Sequence, residues 1–214
     1  MSLENRTRFG YKTIETWTDG DKRQVFPMPV INKREPMNRP TAESAAEEFR
    51  LAMRGFAASV AIVASAEAGI RVGIVATAVM SISLTPPSLM VAINRLSSCR
   101  GLLLRRRAFT VSFLNREQAE FASRFNKRRP DERFSEGRWE FLSDGEMWVG
   151  GLPFLCDAQA NIFCNIDEAI ESHTHTLLIG QVRCLRLGQA IDPLLYCDGQ
   201  YGRFGDLQGR NHEA

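Results

Sequence analysis

The chain has 214 residues, of which 44% are apolar and 24% are charged, proportions typical of a globular protein with its own hydrophobic core. These proportions exclude collagen-like, coiled-coil and wholly disordered proteins. The apolar stretch at residues 55–66 is too short to cross a membrane, and the residues after Met1 are polar and charged. Neither a membrane span nor a secretory signal is therefore expected.

The net charge of +2 conceals a gradient along the chain, because residues 95–138 carry a formal charge of +7 and residues 139–214 carry −7. A basic middle favours an anionic partner near that stretch, although a solvated basic helix face explains it equally well. Nucleic acid binding is not expected, since the isoelectric point of 8.3 is modest and no aromatic residues interleave with the basic ones.

The five cysteines are odd in number and show no C-x-x-C spacing. In a chain without a secretory signal, this pattern fits reduced thiols better than a disulfide framework. We therefore expect a cytoplasmic protein.

Three regions are predicted from the pattern along the chain. Residues 1–40 carry four prolines and lack steady periodicity, which predicts an irregular N-terminal arm with a short strand at 24–26. Residues 41–205 form the main domain, and residues 206–214 form a C-terminal tail. A helix opens the main domain near Thr41 or Ser44, because Ser44 and Glu47 have the spacing of a capping box.

Short strands dominate the rest of the main domain. They are predicted at 59–66, 70–76, 78–84, 88–94, 108–114, 157–166, 168–171, 174–187, 193–195 and 199–204, with helices at 97–107 and 116–126. Many short strands, few helices and no regular βαβ alternation predict a mainly β protein, a closed antiparallel barrel with helical excursions. A parallel nucleotide-binding sheet is disfavoured, because neither G-x-G-x-x-G nor G-x-x-x-x-G-K-S/T is present.

Small and hydroxyl residues fill the stretch 73–83, where a buried strand would carry bulkier side chains. Such a backbone allows a flat ligand to lie against it, with amide N–H groups and hydroxyls bonding to ring heteroatoms. Composition alone favours a different explanation, in which the strand packs closely against another chain.

Polar residues cluster at the start of the predicted helix 97–107, where Asn94, Ser97, Ser98 and Arg100 lie close in sequence. Hydroxyls, free N–H groups and an arginine at a helix N-terminus can bind phosphate, although an ordinary N-cap is more common. The run of arginines at 105–107 is best explained by a solvated helix end.

Two histidines, His173 and His175, share one face of a predicted strand. A metal would need a third and usually a fourth ligand, which the sequence does not place nearby, so no metal site is predicted. A histidine at a ligand pocket can instead contact substrate or donate a proton. In isolation, Arg133 and Phe134, with Phe125 upstream, indicate only a loop anchor.

In order along the chain, these segments resemble the flavin reductase family with the FMN-binding split barrel. They are most similar to the small reductase components of two-component flavin monooxygenases, such as that of 4-hydroxyphenylacetate 3-monooxygenase. The resemblance covers about residues 46–204. The matching residues are Phe49 and Met53; Gly73, Thr77, Ser81, Ser83, Pro86 and Pro87; Asn94, Ser97 and Ser98; Glu117, Gln118, Phe125, Glu132, Arg133, Phe134 and Trp139; Ala158 and Cys164; and Thr174, His175, Ile179, Gly180 and Val182.

The resemblance implies a homodimeric split β-barrel that binds FMN or FAD at the subunit interface. It implies hydride transfer from C4 of NADH or NADPH to N5 of the flavin, with reduced flavin passing to an oxygenase partner. The implied flavin-binding residues are Val75, Ala76, Thr77, Ser81 and Ser83 along the ring; Asn94, Ser97, Ser98 and Cys99 at the ribityl-phosphate end; and Phe125, Arg133 and Phe134 completing the pocket. His175 is the implied catalytic residue beside the ring and the nicotinamide, and Tyr201 is a candidate for shaping the nicotinamide side.

Two positions depart from the family pattern, since Val75 stands where members often have threonine and His173 where they usually have glycine. Two other functions stay open at this point. One is a flavin- or haem-binding protein of similar fold without reductase turnover, and the other is a dimeric interaction module with an empty pocket. The sequence does not distinguish FMN from FAD or NADH from NADPH.

Overall fold

The computed structural model describes residues 11–16, 24–29, 41–143, 145, 149–188 and 191–202. The chain divides into two units, residues 1–48 and 49–214. In the first unit, β1 (Tyr11–Thr16) pairs antiparallel with β2 (Gln24–Pro29). The arm therefore includes a hairpin, and the short strand predicted at 24–26 lies within β2. The predicted tail lies outside the described residues.

The helix α1 (Ala42–Arg54) begins one turn earlier than the capping-box pattern suggests. Thr41 precedes it, and its Oγ1 accepts the backbone N–H of Ser44 at 3.2 Å. Ser44 thus lies inside the first turn, because the hydroxyl of Thr41 already satisfies the N–H group that an N-cap must serve. No helix among the described residues is both long enough and apolar enough to span a bilayer.

Seven strands form the largest sheet of the second unit. They are β4 (Ala61–Glu67), β5 (Ile70–Ala76), β6 (Val79–Leu84), β7 (Pro87–Asn94), β8 (Ala108–Phe113), β11 (Ala160–Ser172) and β12 (His175–Leu187). Their order is β5-β4-β8-β11-β12-β7-β6, with every neighbouring pair antiparallel. The mainly β class is therefore confirmed.

The remaining elements are short. A three-stranded sheet contains β3 (Ala58–Ser59), β13 (Leu195–Cys197) and β14 (Gln200–Gly202), and a two-stranded sheet contains β9 (Trp139–Phe141) and β10 (Pro153–Leu155). The helices are α2 (Arg100–Arg106) and α3 (Ala119–Lys127), with 3₁₀ turns at Arg116–Gln118 and Arg133–Ser135. Both helices predicted beyond residue 95 are therefore present, each shorter at its N-terminal end than the sequence pattern suggests.

A two-residue link bends the large sheet into a barrel. Strands β5 and β6 lie at opposite edges of the sheet, yet only Thr77 and Ala78 separate them in sequence. Three peptide steps span about 10 Å at most, so the two edges must approach each other at this point. The sequence predicts a closed barrel, but the hydrogen-bond ladder is open between β5 and β6 in the described residues, since these two edge strands are not paired with each other.

The curled sheet encloses one apolar core and carries a second on its outer face. The inner core draws on all seven strands, including Ile74 of β5 and Val79 of β6 from the two edges. On the outer face, Val60, Ile62 and Ala64 pack with α3 and its surrounding loops. Residues 60–64 are therefore buried on both sides, which explains their unbroken apolar sequence.

Gly180 of β12 leaves room for the inner core, and replacing it provides a stability test. A Cβ at this position would lie 2.7 Å from the ring of Phe109 and 2.9 Å from the Cβ of Cys164. We expect Gly180→Ala to lower the free energy of unfolding by about 1–3 kcal/mol, because the strand or the ring must shift. Urea denaturation monitored by circular dichroism measures this change.

The matched control is Gly101→Ala in α2, where a Cβ meets nothing nearer than 3.6 Å. Alanine is favoured over glycine inside a helix by up to about 1 kcal/mol, so this variant should be no less stable than the original chain. A Gly180→Ala protein with unchanged stability would contradict the packing described here.

Candidate functional site

Strand register brings two of the predicted site residues, Asn94 and His175, together at one end of the barrel. His175 begins β12 and lies directly opposite Asn94 at the end of β7. The Ala78 carbonyl accepts the N–H of Ala92 at 3.0 Å, so the link that contains Thr77 meets β7 two residues before Asn94. Asn94 and His175 come from separate segments and face each other across the ladder, and the link containing Thr77 ends near this point.

Tight turns shape the loop between Asn94 and α2. The Asn94 side-chain oxygen accepts the N–H of Leu96 at 2.9 Å, and its carbonyl accepts the N–H of Ser97 at 2.9 Å. Such an Asx turn fixes the backbone locally. Ser97 Oγ lies 3.1 Å from Cys99 Sγ, so the hydroxyl contacts the thiol instead of capping the helix. The exposed Ser98 is left facing outward.

Glu171 ties this loop to the tip of the β11–β12 hairpin. Its carboxylate lies 2.5 Å from Arg100 Nη2 and 3.1 Å from Arg95 Nε, and it accepts a hydrogen bond from Thr176 Oγ1 at 3.0 Å. The hydrogen bond from Arg100 holds the pKa of Glu171 below its ordinary value, and Thr176 and Arg95 act in the same direction. Sequence reasoning identified Arg100 but missed Arg95, Glu171 and Thr176.

The hairpin tip also explains a departure from the family pattern. His173 adopts a φ of 48°, a backbone conformation that glycine reaches without strain. Its carbonyl accepts a hydrogen bond from Arg95 Nη1 at 3.2 Å, which helps to hold this conformation. The histidine at a position usually occupied by glycine is therefore accommodated through contacts to its backbone.

His175 is half-buried and carries one defined contact on its ring. Its Nδ1 lies 2.9 Å from the hydroxyl of Thr174, the residue before it. Within the described residues, Nε2 makes no hydrogen bond. The ring nitrogen farther from the backbone is thus the one available to a ligand.

The predicted aromatic residues lie behind β5 and not on an open surface. Phe125 and Phe134 are 1% and 6% exposed, and their rings pack edge to face at 5.8 Å. A Cβ on Gly73 would lie 3.1 Å from both rings, so the glycine lets β5 approach them closely. The structure therefore places these two residues as a buried support for the strand that leads to Thr77.

Arg133 and Asn126 hold β5 from the same side. Arg133 Nη1 donates to the carbonyl of Gly73 at 2.7 Å, and the backbone N–H of Val75 donates to Asn126 Oδ1 at 3.0 Å. Arg133 Nε is buried and has no acceptor among the described residues. Burial raises the pKa of Cys99, while its contact with Ser97 and the charge of Arg133 lower it.

Ser81 and Ser83 do not join the cluster around Asn94. They lie along β6, which runs away from Thr77 at about 3.3 Å per residue. Ser81 is exposed, and Ser83 Oγ accepts the N–H of Thr85 at 3.0 Å. A bulge between the two serines shifts the register of this edge strand.

Tyr201 lies on the outer side of the barrel. Its ring packs edge to face on Tyr196 at 5.4 Å, and it borders the same outer core as Val75. Burial raises its pKa, with a smaller contribution from Tyr196. It lines a cavity of about 320 Å³ that also includes Arg116 and Leu194. Among the described residues, no hydrogen bond or ring contact joins Tyr201 to His175.

Comparison with known proteins gives a consistent result over most of the chain. Residues 53–205 match the sequence model of the flavin reductase like domain. The reductase component of an FADH(2)-dependent resorcinol hydroxylase from Rhizobium sp. is 34% identical over 168 residues, which cover 77% of this chain and 90% of that protein. The FMN reductase (NADH) RutF of Agrobacterium fabrum is 31% identical over 175 residues, covering 81% and 97%.

Solved structures agree with the sequence comparisons. The flavin reductase of a styrene monooxygenase from Pseudomonas putida superposes with a TM-score of 0.66 and 29% identity, covering 75% of this chain and 99% of that one. A flavin reductase domain protein from Arthrobacter sp. gives a TM-score of 0.68 and 27% identity, covering 77% and 98%. The similarity therefore extends over nearly the whole length of these proteins.

Proposed function

Because this chain belongs to the flavin reductase like domain family, we infer that it is an NADH-dependent flavin reductase that supplies reduced flavin to a partner oxygenase. One relative is named for NADH-dependent FMN reduction and another as the reductase component of a hydroxylase. The observation that supports the inference is the register that pairs Asn94 with His175, since the two residues belong to different segments of the family resemblance.

The residues at this end of the barrel fit a flavin. Arg133 Nε is a buried donor without an acceptor among the described residues, and its charge acts on Cys99 at the end of the loop that begins at Asn94. We propose that Asn94, Ser97, Ser98 and Cys99 hold the ribityl-phosphate end of the flavin. A phosphate at this place would suit the N–H groups of the loop and the charge of Arg133.

The backbone of residues 75–77 is proposed to lie along the flavin ring. The N–H of Val75 is already bonded to Asn126 and Ala76 is paired with Ala61 of β4, so a backbone hydrogen bond to the ring would come from Thr77. The buried rings of Phe125 and Phe134 keep this segment rigid, which limits the cost of ordering it when ligand binds.

His175 is proposed to act beside the flavin and the nicotinamide. When bound, the flavin supplies the redox chemistry, with its N5 accepting the hydride that leaves C4 of NADH. With Nδ1 held by Thr174, His175 can orient the nicotinamide through Nε2 or hold a proton there. The remaining increase in rate over the uncatalysed reaction comes from holding the flavin ring and the nicotinamide stacked in a site that excludes water.

A test of this role is His175→Ala. We expect the rate of flavin reduction at saturating NADH and FMN to fall about ten-fold or more, because a positioned acid–base group is lost. Stopped-flow absorbance at the flavin band measures this step directly. The KM for FMN should change less than the rate, since the phosphate loop stays intact.

The control is His173→Gly, two residues away at the hairpin tip. It introduces the residue that suits a φ of 48° and leaves the backbone contact with Arg95 in place, so the reduction rate should stay near that of the original chain. Equal rates for His175→Ala and the original chain would contradict the catalytic role of His175, but they would not contradict the fold assignment.

We also propose that two copies of the chain form a homodimer through β6. This edge strand exposes Met80, Ile82 and Leu84 by 55%, 48% and 84%. A sheet edge that presents unpaired backbone groups and large apolar side chains is typical of an interface. Ser81 and Ser83 lie on the same strand, so in a dimer they can contribute to a site shared by both copies.

The proposed interface predicts that Leu84→Glu dissociates the dimer, because it places a carboxylate in an apolar contact. Sedimentation should then give the chain mass of 24.1 kDa instead of twice that value. Flavin affinity should fall together with the dimer. Leu187→Glu is the matched control, since Leu187 is also exposed, by 74%, but lies at the end of β12. A monomeric original chain, or a Leu84→Glu variant that stays dimeric, would contradict the proposal.

A cytoplasmic location is part of the same proposal. None of the five cysteines, all of which lie in the described part of the chain, forms a disulfide. Free thiols persist in reducing compartments, where an enzyme that supplies reduced flavin would also meet NADH.

A further inference from the structure

A second cationic site lies at the C-terminal end of α2, away from the proposed flavin loop. It is a cavity of about 480 Å³ lined by Arg105, Arg106, Arg107, Arg183, Asn165, Ile166 and Asp167. Four arginines and one aspartate give its lining a formal net charge of +3. The sequence pattern suggested only a solvated helix end for three of these arginines, and the structure adds Arg183 and Asn165 from two strands of the barrel.

Arg107 builds one wall of the cavity. It ends α2 with a φ of 53°, and its Nη2 donates to the carbonyls of Ile166 at 2.6 Å and Asp167 at 2.7 Å. The N–H of Ile166 in turn donates to the Arg107 carbonyl at 2.8 Å. Asp167 is the extra residue of a bulge in β11, so the guanidinium satisfies backbone groups that the ladder leaves unpaired.

Asn165 provides a polar group in the lining that lacks a partner. It alternates along β11 with Cys164 and Ile166, which face the inner core, so its side chain projects to the outer face with the cavity. Its Oδ1 is buried and accepts no hydrogen bond within the described part of the chain. Leaving a buried acceptor without a donor is costly, and a ligand that carries a hydroxyl would remove this cost.

The positive charge of the cavity lining indicates that the ligand is an anion. Arg105 is paired with Glu67 at 3.2 Å, whereas Arg183 is exposed at the opposite wall, on β12. Several guanidinium groups around one concave site repel each other, and an anion relieves that repulsion. The planar guanidinium group of arginine matches the geometry of phosphate oxygens. A singly protonated phosphate also carries a hydroxyl, which can donate a hydrogen bond to Asn165.

We propose that this cavity binds the phosphate group of a small molecule, independently of the flavin. The site lies one helix length, about 10 Å, from the start of α2, where the flavin phosphate is placed. A ligand small enough to enter the concave site lies beside Asn165 and reaches its buried oxygen once the amide turns toward the cavity. The flat acidic surface of a protein would meet the exposed arginines alone.

The test is calorimetric titration of the full chain with inorganic pyrophosphate at low salt, in the presence of saturating FMN. We expect one binding event per chain, weakened by added sodium chloride. Arg183→Gln should weaken it roughly ten-fold, and Asn165→Asp, which adds a carboxylate to the cavity, should abolish it. Arg129→Gln, at an exposed arginine paired with Asp131, is the matched control and should bind as the original chain does.

A parallel titration with ADP identifies the source of the phosphate. Tighter binding of ADP than of pyrophosphate supports the proposal with a nucleotide as ligand, and equal binding supports it with the phosphate group alone, provided that Arg183→Gln weakens both. The proposal is overturned by absence of pyrophosphate binding, by binding that FMN displaces, or by equal affinity in Asn165→Asp and the original chain. Thermal melting of each variant separates loss of the site from loss of the fold.

Discussion

The short link formed by Thr77 and Ala78 determines the geometry of the protein. It joins two strands that lie at opposite edges of a seven-stranded sheet, and so few residues cannot bridge a flat sheet of that width. The sheet must curl, and its curl encloses an apolar core to which every strand contributes. The same link places Thr77 beside the end of β7, where Asn94 faces His175. The fold and the proposed flavin site thus depend on one local constraint.

Two kinds of support keep that region in place. Behind β5, Phe125, Phe134 and Arg133 hold the strand through ring packing and a bond to the Gly73 carbonyl. In front, Glu171 joins the loop after Asn94 to the hairpin that carries His175. Preorganisation of this kind lowers the cost of binding a flavin and a nicotinamide in stacked geometry. Residues that touch no ligand can therefore be as necessary as those that do.

The sequence predicts local elements well, because periodicity and turn residues act over a few positions. The strands around 59–76 and the helix after Cys99 are found close to where the pattern places them. Long-range pairs leave no local trace. Arg100 and Glu171 are 71 residues apart, and nothing near either residue in sequence indicates the other.

Charged residues inside strands are the other source of difference. Asp167 and Glu168 interrupt an apolar run, which predicts two strands at 157–166 and 168–171 where the structure has the single strand β11. A bulge at Asp167 allows the strand to continue past these charged residues. Arg107 donates hydrogen bonds to the carbonyls of Ile166 and Asp167 at the bulge. The resemblance assigns Phe125 and Phe134 to the flavin pocket; both are buried against Gly73 of β5, and their role toward flavin stays a prediction.

The most direct test of the proposed function is oxidation of NADH and NADPH by the purified chain, measured at 340 nm with and without added FMN or FAD. We expect oxidation that requires flavin and that favours NADH, with one flavin reduced for each NADH consumed when oxygen is absent. Absence of oxidation with either nucleotide, at flavin concentrations that saturate binding, would contradict the reductase function and favour a flavin-binding protein without turnover.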